Sequence, residues 1–181
     1  HKLLGGCREK VKAYASSVPN LGPPDVYAEH ALECQRRGYQ AYKIRPNIYW
    51  DPHKEEPAPQ LPGFPKEDVE VCKAVREAVG DDMVLMLDPF GVYTLEQALW
   101  VGREIQKLGF YWLEHPMIET RIEAYRRLTR ELDIAICSPE YVPGGSFARA
   151  EWLLQGAADI LRVDYDHGGL TGCWKMMNVA Q

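Results

Sequence analysis

Three acids stand where apolar runs stop. Asp88 closes "VLMLD", Glu114 closes "FYWLE" and Glu140 follows "IAICSP", with 26 residues from each to the next. Such runs read as buried strands, and a carboxylate at the end of one needs a partner. Three adjacent parallel strands would aim the acids at one point, where mutual repulsion would force at least one to keep its proton. A hard divalent cation resolves the conflict, and oxygen-only ligation with room for water or substrate suits Mg2+. Alone, Asp88 would more often be a helix cap or a turn residue. The repeated spacing is what argues for metal. His115 and His53 are the nearby histidines, but His115 follows an inward-pointing Glu114, so strand alternation should turn it to the opposite face.

Two cations accompany the acids. In "AYKIRP", Lys43 and Arg45 are two residues apart and project from the same side of a strand. If that side faces the interior, two cations stand beside the three anions; a solvated charged face is the alternative. The next segment, "PNIYWDPHKEEPAPQLPGFP", holds six prolines and no periodicity. A loop that long is usually functional or disordered: it would either cover the site, with Tyr49, Trp50 and His53 as substrate contacts, or form a mobile surface insert.

These residues need a scaffold that points strand ends one way. Strands are expected over 11–16, 40–45, 83–88, 110–114, 134–138 and 160–164. Helices are expected over 25–37, 66–79, 94–108, 121–131 and 147–155, with another starting at 171. Gly38, Gly80, Gly109 and Gly156 punctuate the helix ends. Six βα units imply a parallel sheet, since each helix returns the chain to the same edge. A doubly wound sheet and a barrel share this beat; the barrel needs eight units and about 250 residues. The 181 residues therefore read as one partial barrel domain over 1–181. A net charge of -5 without a basic stripe argues against nucleic acid, and no apolar run is long enough for a membrane span. Five scattered cysteines without a CxxC pair fit a reducing, cytoplasmic setting.

In this order and spacing, "GYQAYKIRP", "LMLDP", "YWLEHP", "SPE" and "RVDYDHGGLTG" resemble the enolase superfamily, specifically its mandelate racemase-like branch within the mandelate racemase/muconate lactonizing enzyme family. The resemblance implies an α/β fold: a TIM-like (β/α)7β barrel, here about six βα units, with the capping domain and strands seven and eight absent. It implies Mg2+ on Asp88, Glu114 and Glu140, and abstraction of the proton α to a carboxylate with stabilisation of the enolate. Lys43 would contact the substrate carboxylate, and Asp164 would orient a histidine on strand seven that serves as base. Arg45 stands where the family has a second basic Lys, so one of the two bases that racemisation needs is missing. That favours dehydration of an aldonate or aldarate by a homo-oligomeric protein of roughly 380 residues. A racemase or epimerase is the alternative, and a non-catalytic half-barrel the second.

Overall fold

The computed structural model describes residues 5–6, 8–51, 53, 56–58 and 61–180. Its centre is a five-stranded parallel sheet of β1 (Ala15–Ser16), β2 (Ala41–Ile44), β5 (Val84–Leu87), β6 (Trp112–Glu114) and β7 (Ala135–Cys137). The strands lie side by side in chain order. A doubly wound sheet reverses its order at a switch point, so the uninterrupted order is that of a barrel wall. Helices α1 (Pro24–Arg36), α2 (Pro65–Val79), α3 (Leu95–Lys107), α4 (Ile122–Glu131) and α5 (Gly145–Leu154) provide the crossovers, and α6 (Gly169–Val179) comes last.

The two faces of the sheet differ in chemistry, as alternation requires. Tyr42, Ile44, Leu85, Leu87, Leu113 and Ile136 all enter the apolar core shared with the helices. The alternate positions carry Lys43, Met86, Trp112, Glu114 and Cys137, and all but Trp112 are buried on the other face. Burial of the first set holds the wall to its helices at about 1.5–3 kcal/mol per large side chain. The four expected glycines do end helices with positive φ (Gly38 90°, Gly80 72°, Gly109 67°, Gly156 65°). Thr94 opens α3 with a reciprocal cap to Gln97.

Three expectations about elements need correction. The first strand is only Ala15–Ser16, because Val11 is 78% exposed and only Ala15 and Ser16 align with β2. The sixth strand reduces to one bridge between Cys137 and Ile160. Among the described residues nothing pairs with its far side, so 161–164 follow no ladder. The proline-rich segment, expected to be irregular, contains an antiparallel pair, β3 (Trp50–Asp51) with β4 (Glu56–Pro57).

That loop is anchored at both ends. Asn20 accepts from the Ile48 amide at 2.9 Å, and Ile48 is buried. At the other end a Cβ on Gly63 would come within 2.7 Å of Val92 Cγ2, so only glycine lets the chain pass. Below it Tyr93 donates a 2.5 Å hydrogen bond to the buried Asp68. No described helix is long and apolar enough to cross a membrane.

Candidate metal centre

The sheet delivers two of the three acids by ladder geometry. The Asp88 amide donates to the Ile44 carbonyl at 2.9 Å, which places it one residue beyond β5. Glu114 is the last residue of β6 and pairs with Cys137. Glu140 departs from the expected common register: it lies three residues beyond β7, off the ladder. All three are nonetheless buried, at 2%, 1% and 4% exposure.

Cations join them into one network. Lys43 Nζ sits 3.1 Å from Asp88 Oδ2 and 2.9 Å from Glu114 Oε1. Arg162 bridges Glu114 and Glu140, with its contact to Glu140 Oε1 at 2.9 Å. Arg45 Nε is 3.6 Å from Asp88 Oδ2 and its guanidinium lies over the Phe90 ring at 5.0 Å. Trp112 donates its indole N–H to Glu114 Oε2 at 3.0 Å and meets Tyr14 edge to face at 5.8 Å. Three carboxylates thus face three cations, Lys43, Arg45 and Arg162.

The electrostatics follow from burial and these neighbours. Burial and the charge of Asp88 push the Glu114 carboxyl above its ordinary value, against the pull of Lys43. Burial alone would lower the Lys43 ammonium, but Asp88 and Glu114 raise it, so it stays charged. Burial works against the Glu140 carboxylate as well; His115 and Arg162 outweigh it and hold the group below the usual range.

His115 does not turn away from the acids. Its Nδ1 lies 3.4 Å from Glu140 Oε2, and burial of its ring is outweighed by Glu140 and Glu119, which raise its pKa. Strand alternation fails because His115 is already past β6, with φ 40°. Phe90 and Tyr141 flank its ring at 5.7 and 5.3 Å.

The remaining expected residues are not among the partners named above. Asp164 is half-buried and accepts from the Asp166 amide at 3.0 Å, capping the short 3-10 turn Tyr165–His167. Tyr49 is 44% exposed and stacks on Phe64 at 5.2 Å within the loop. Trp50 belongs to β3, but its side chain lies outside the described residues. His53 sits exposed in the turn between β3 and β4. Arg162, Trp112, Glu119 and Arg149 escaped the sequence reading. Their signal was faint: Arg162 is the residue two before Asp164, and Trp112 the one two before Glu114.

The donors fit a hard cation. They are carboxylate oxygens only, they are buried, and among the described residues Glu140 Oε2 lies at ion-pair distance from His115 but has no hydrogen-bond partner. Among the described residues no three acids, histidines or cysteines converge closely enough, as they stand, to hold an ion. Lys43 and Arg162 span the gaps instead. A cluster able to exchange one kind of positive charge for another is what such donors allow.

A barrel wall with acids and cations gathered at its strand ends defines a class: a barrel protein with its site at the carboxyl-terminal face. The chain belongs to the enolase C-terminal domain-like family, whose model matches residues 26–181. It is 30% identical over 185 residues to arabinonate dehydratase of Saccharolobus solfataricus, covering 100% of this chain and 45% of that protein. It is 33% identical to D-galactarolactone cycloisomerase of Agrobacterium fabrum, over 94% of this chain and 41% of that protein. Among solved structures it superimposes on a magnesium complex of D-glucarate dehydratase from Agrobacterium tumefaciens with a TM-score of 0.88 and 39% identity, covering 99% of this chain and 46% of that one. The chain therefore spans less than half the length of these relatives.

Proposed function

We propose that the full-length protein is a Mg2+-dependent acid-sugar dehydratase, with the present chain as the first part of its barrel. A capping segment and two further strands would complete it. The observation that carries the reading is Arg45, which stands just past β2 at 3.6 Å from Asp88 Oδ2, the oxygen that Lys43 also approaches. A guanidinium at that place holds negative charge and does not remove protons. With one base fewer, the site suits a reaction that needs one base and one acid. The names of two relatives, arabinonate dehydratase and D-glucarate dehydratase, agree with it.

In this reading Asp88, Glu114 and Glu140 hold Mg2+. Bound there, the metal supplies Lewis-acid stabilisation of the charge that develops on a substrate carboxylate. Lys43 and Arg45 orient that carboxylate and face the enolate as it forms, already fixed by their ion pairs and so needing little reorganisation. A base outside this chain, backed by Asp164, takes the C2 proton of an aldonate or aldarate. The 3-hydroxyl leaves as water and the enol becomes a 2-keto-3-deoxy acid. Tyr49, Trp50 and His53 on the proline-rich loop would contact the polyol chain.

Screening a panel of aldonates and aldarates for 2-keto-3-deoxy product tests the proposal. Dehydration of at least one is expected. Racemisation of mandelate-like or dipeptide substrates, with no acid sugar dehydrated, would overturn it in favour of a racemase.

A further inference from the structure

Glu140 poses a positional problem that Asp88 and Glu114 do not. Their places are set by ladder hydrogen bonds, whereas Glu140 lies three residues past β7. Something else must fix its backbone. Two buried charged side chains do so, one on each side of the residue: Glu119 from the preceding βα unit and Arg149 from the helix that follows Glu140. Glu119, 6% exposed in the connection after β6, accepts from the Glu140 amide with both oxygens at 2.7 and 2.8 Å and from the Tyr141 amide at 2.6 Å. Arg149, 2% exposed on α5, donates to the Glu140 carbonyl at 2.6 Å. Its Nε also donates to the carbonyl of Arg162 at 3.2 Å, and its other terminal nitrogen to Gly145 at 3.2 Å.

We infer that Glu119 and Arg149 are positioning residues that clamp the backbone of Glu140, and that Arg149 couples it to Arg162. The inference rests on Glu140 being a metal ligand. The two groups are costly to bury, and neither satisfies an apolar requirement of the core. Charge-assisted hydrogen bonds to backbone amides and carbonyls are short and directional, which suits them to holding a peptide rather than a side chain. Glu119 fixes the N–H side and Arg149 the carbonyl side, so the Cα–Cβ bond of Glu140 has little freedom left. The carboxylate is thereby presented to Arg162, and to a cation bound in its place. Outer groups that orient metal ligands in this way are typically worth 10- to 100-fold in metal affinity.

The test is Mg2+ titration calorimetry on the full-length protein, at a temperature well below melting, paired with the melting temperature measured without metal. Glu119→Asp and Arg149→Lys keep their charge and alter only reach and fork geometry, so long-range electrostatics stay constant. Each is expected to weaken Mg2+ about 10- to 100-fold. A residue that merely supports the fold would lower the melting temperature and leave the affinity of the folded protein unchanged; that result overturns the clamp. Glu140→Gln separates the two levels of the argument. If it leaves Mg2+ binding intact, the metal-ligand reading itself fails. If it abolishes binding while both charge-conserving variants bind as wild type, only the clamp fails. Should one of the two fail to fold, the other decides by the same criterion. Should both, Glu119→Gln is expected to weaken Mg2+ at least as much, and unchanged affinity there overturns the clamp.

Discussion

Two arginines at opposite ends of the strands show how partners separate structure from chemistry. Arg76, on α2, donates to the carbonyls of Leu108 (2.8 Å), Gly80 (2.6 Å), Met83 (2.9 Å) and Gly109 (3.2 Å). Those carbonyls close α2 and α3 and lead into the next strands, and burial pulls the guanidinium below its ordinary range. Arg162, at the other end, faces Glu114 and Glu140, and their charges raise it despite burial. A peptide carbonyl carries no net charge and does not titrate; a carboxylate can take up a proton, and its charge can be met by a metal ion in place of the arginine. The same side chain is therefore a splint in one place and part of an exchangeable charge cluster in the other.

The comparison breaks first at Glu114, which touches Lys43, Trp112 and Arg162 at once. Glu114→Gln in the full-length protein should abolish Mg2+ binding and lower kcat by at least about 1000-fold, the loss expected when a site's main charge stabiliser goes. Retained calorimetric binding would mean that the cluster is structural, like Arg76. Next in size is Arg45→Lys, which keeps the charge but loses the planar fork beside Asp88. Dehydration should slow about 10- to 1000-fold, and an unchanged rate would remove Arg45 from the chemistry.

Arg76→Met sharpens the opposite pole. Leaving the part-buried Leu108 and Met83 carbonyls short of a donor should cost about 2–4 kcal/mol in chemical denaturation, with kcat of the folded enzyme unchanged. A large fall in kcat without loss of stability would contradict the assignment.

Asp68 is an intermediate case, a buried carboxylate that receives a neutral hydroxyl from Tyr93. Burial pushes its pKa up to about 7 from an ordinary 3.8. The unfolded chain gives up this proton near pH 4 while the folded one keeps it to about pH 7. The group's contribution to stability is thus complete below about pH 4 and is lost as pH rises through 7. Between pH 5 and 8 that amounts to about 2–3 kcal/mol. Melting curves over this range should fall less steeply for Asp68→Asn than for wild type; parallel curves would show that Asp68 titrates normally.

What sequence could reveal follows from the same division. Lys43, Glu114 and Asp88 could be placed from sequence because strand alternation and the ladder fix where they stand, whereas Arg45 is one residue past β2 and its amide is held by Ser17. Glu140 was found for a partly wrong reason, since the spacing suggested a register that the chain leaves before reaching it. His115 was misplaced because alternation stops where the strand does, and its φ of 40° is not written in its neighbours. Arg162 was invisible because 161–164 keep no ladder from which a direction could be read. The same irregularity leaves Asp164 capping its own turn. Glu119 and Arg149 act on backbone atoms, which carry no residue identity and so leave no pattern.

The indole of Trp112 gives this arrangement an optical consequence. Its N–H ends on Glu114, so any change in that carboxylate's charge or company alters the field across the excited ring. The chain has five tryptophans, of which Trp152 is sealed in the core and Trp100 and Trp174 look outward. Trp112 is thus a lamp wired to the acid cluster. Its emission colour should report cation occupancy directly, with the difference between wild type and Trp112→Phe isolating the signal.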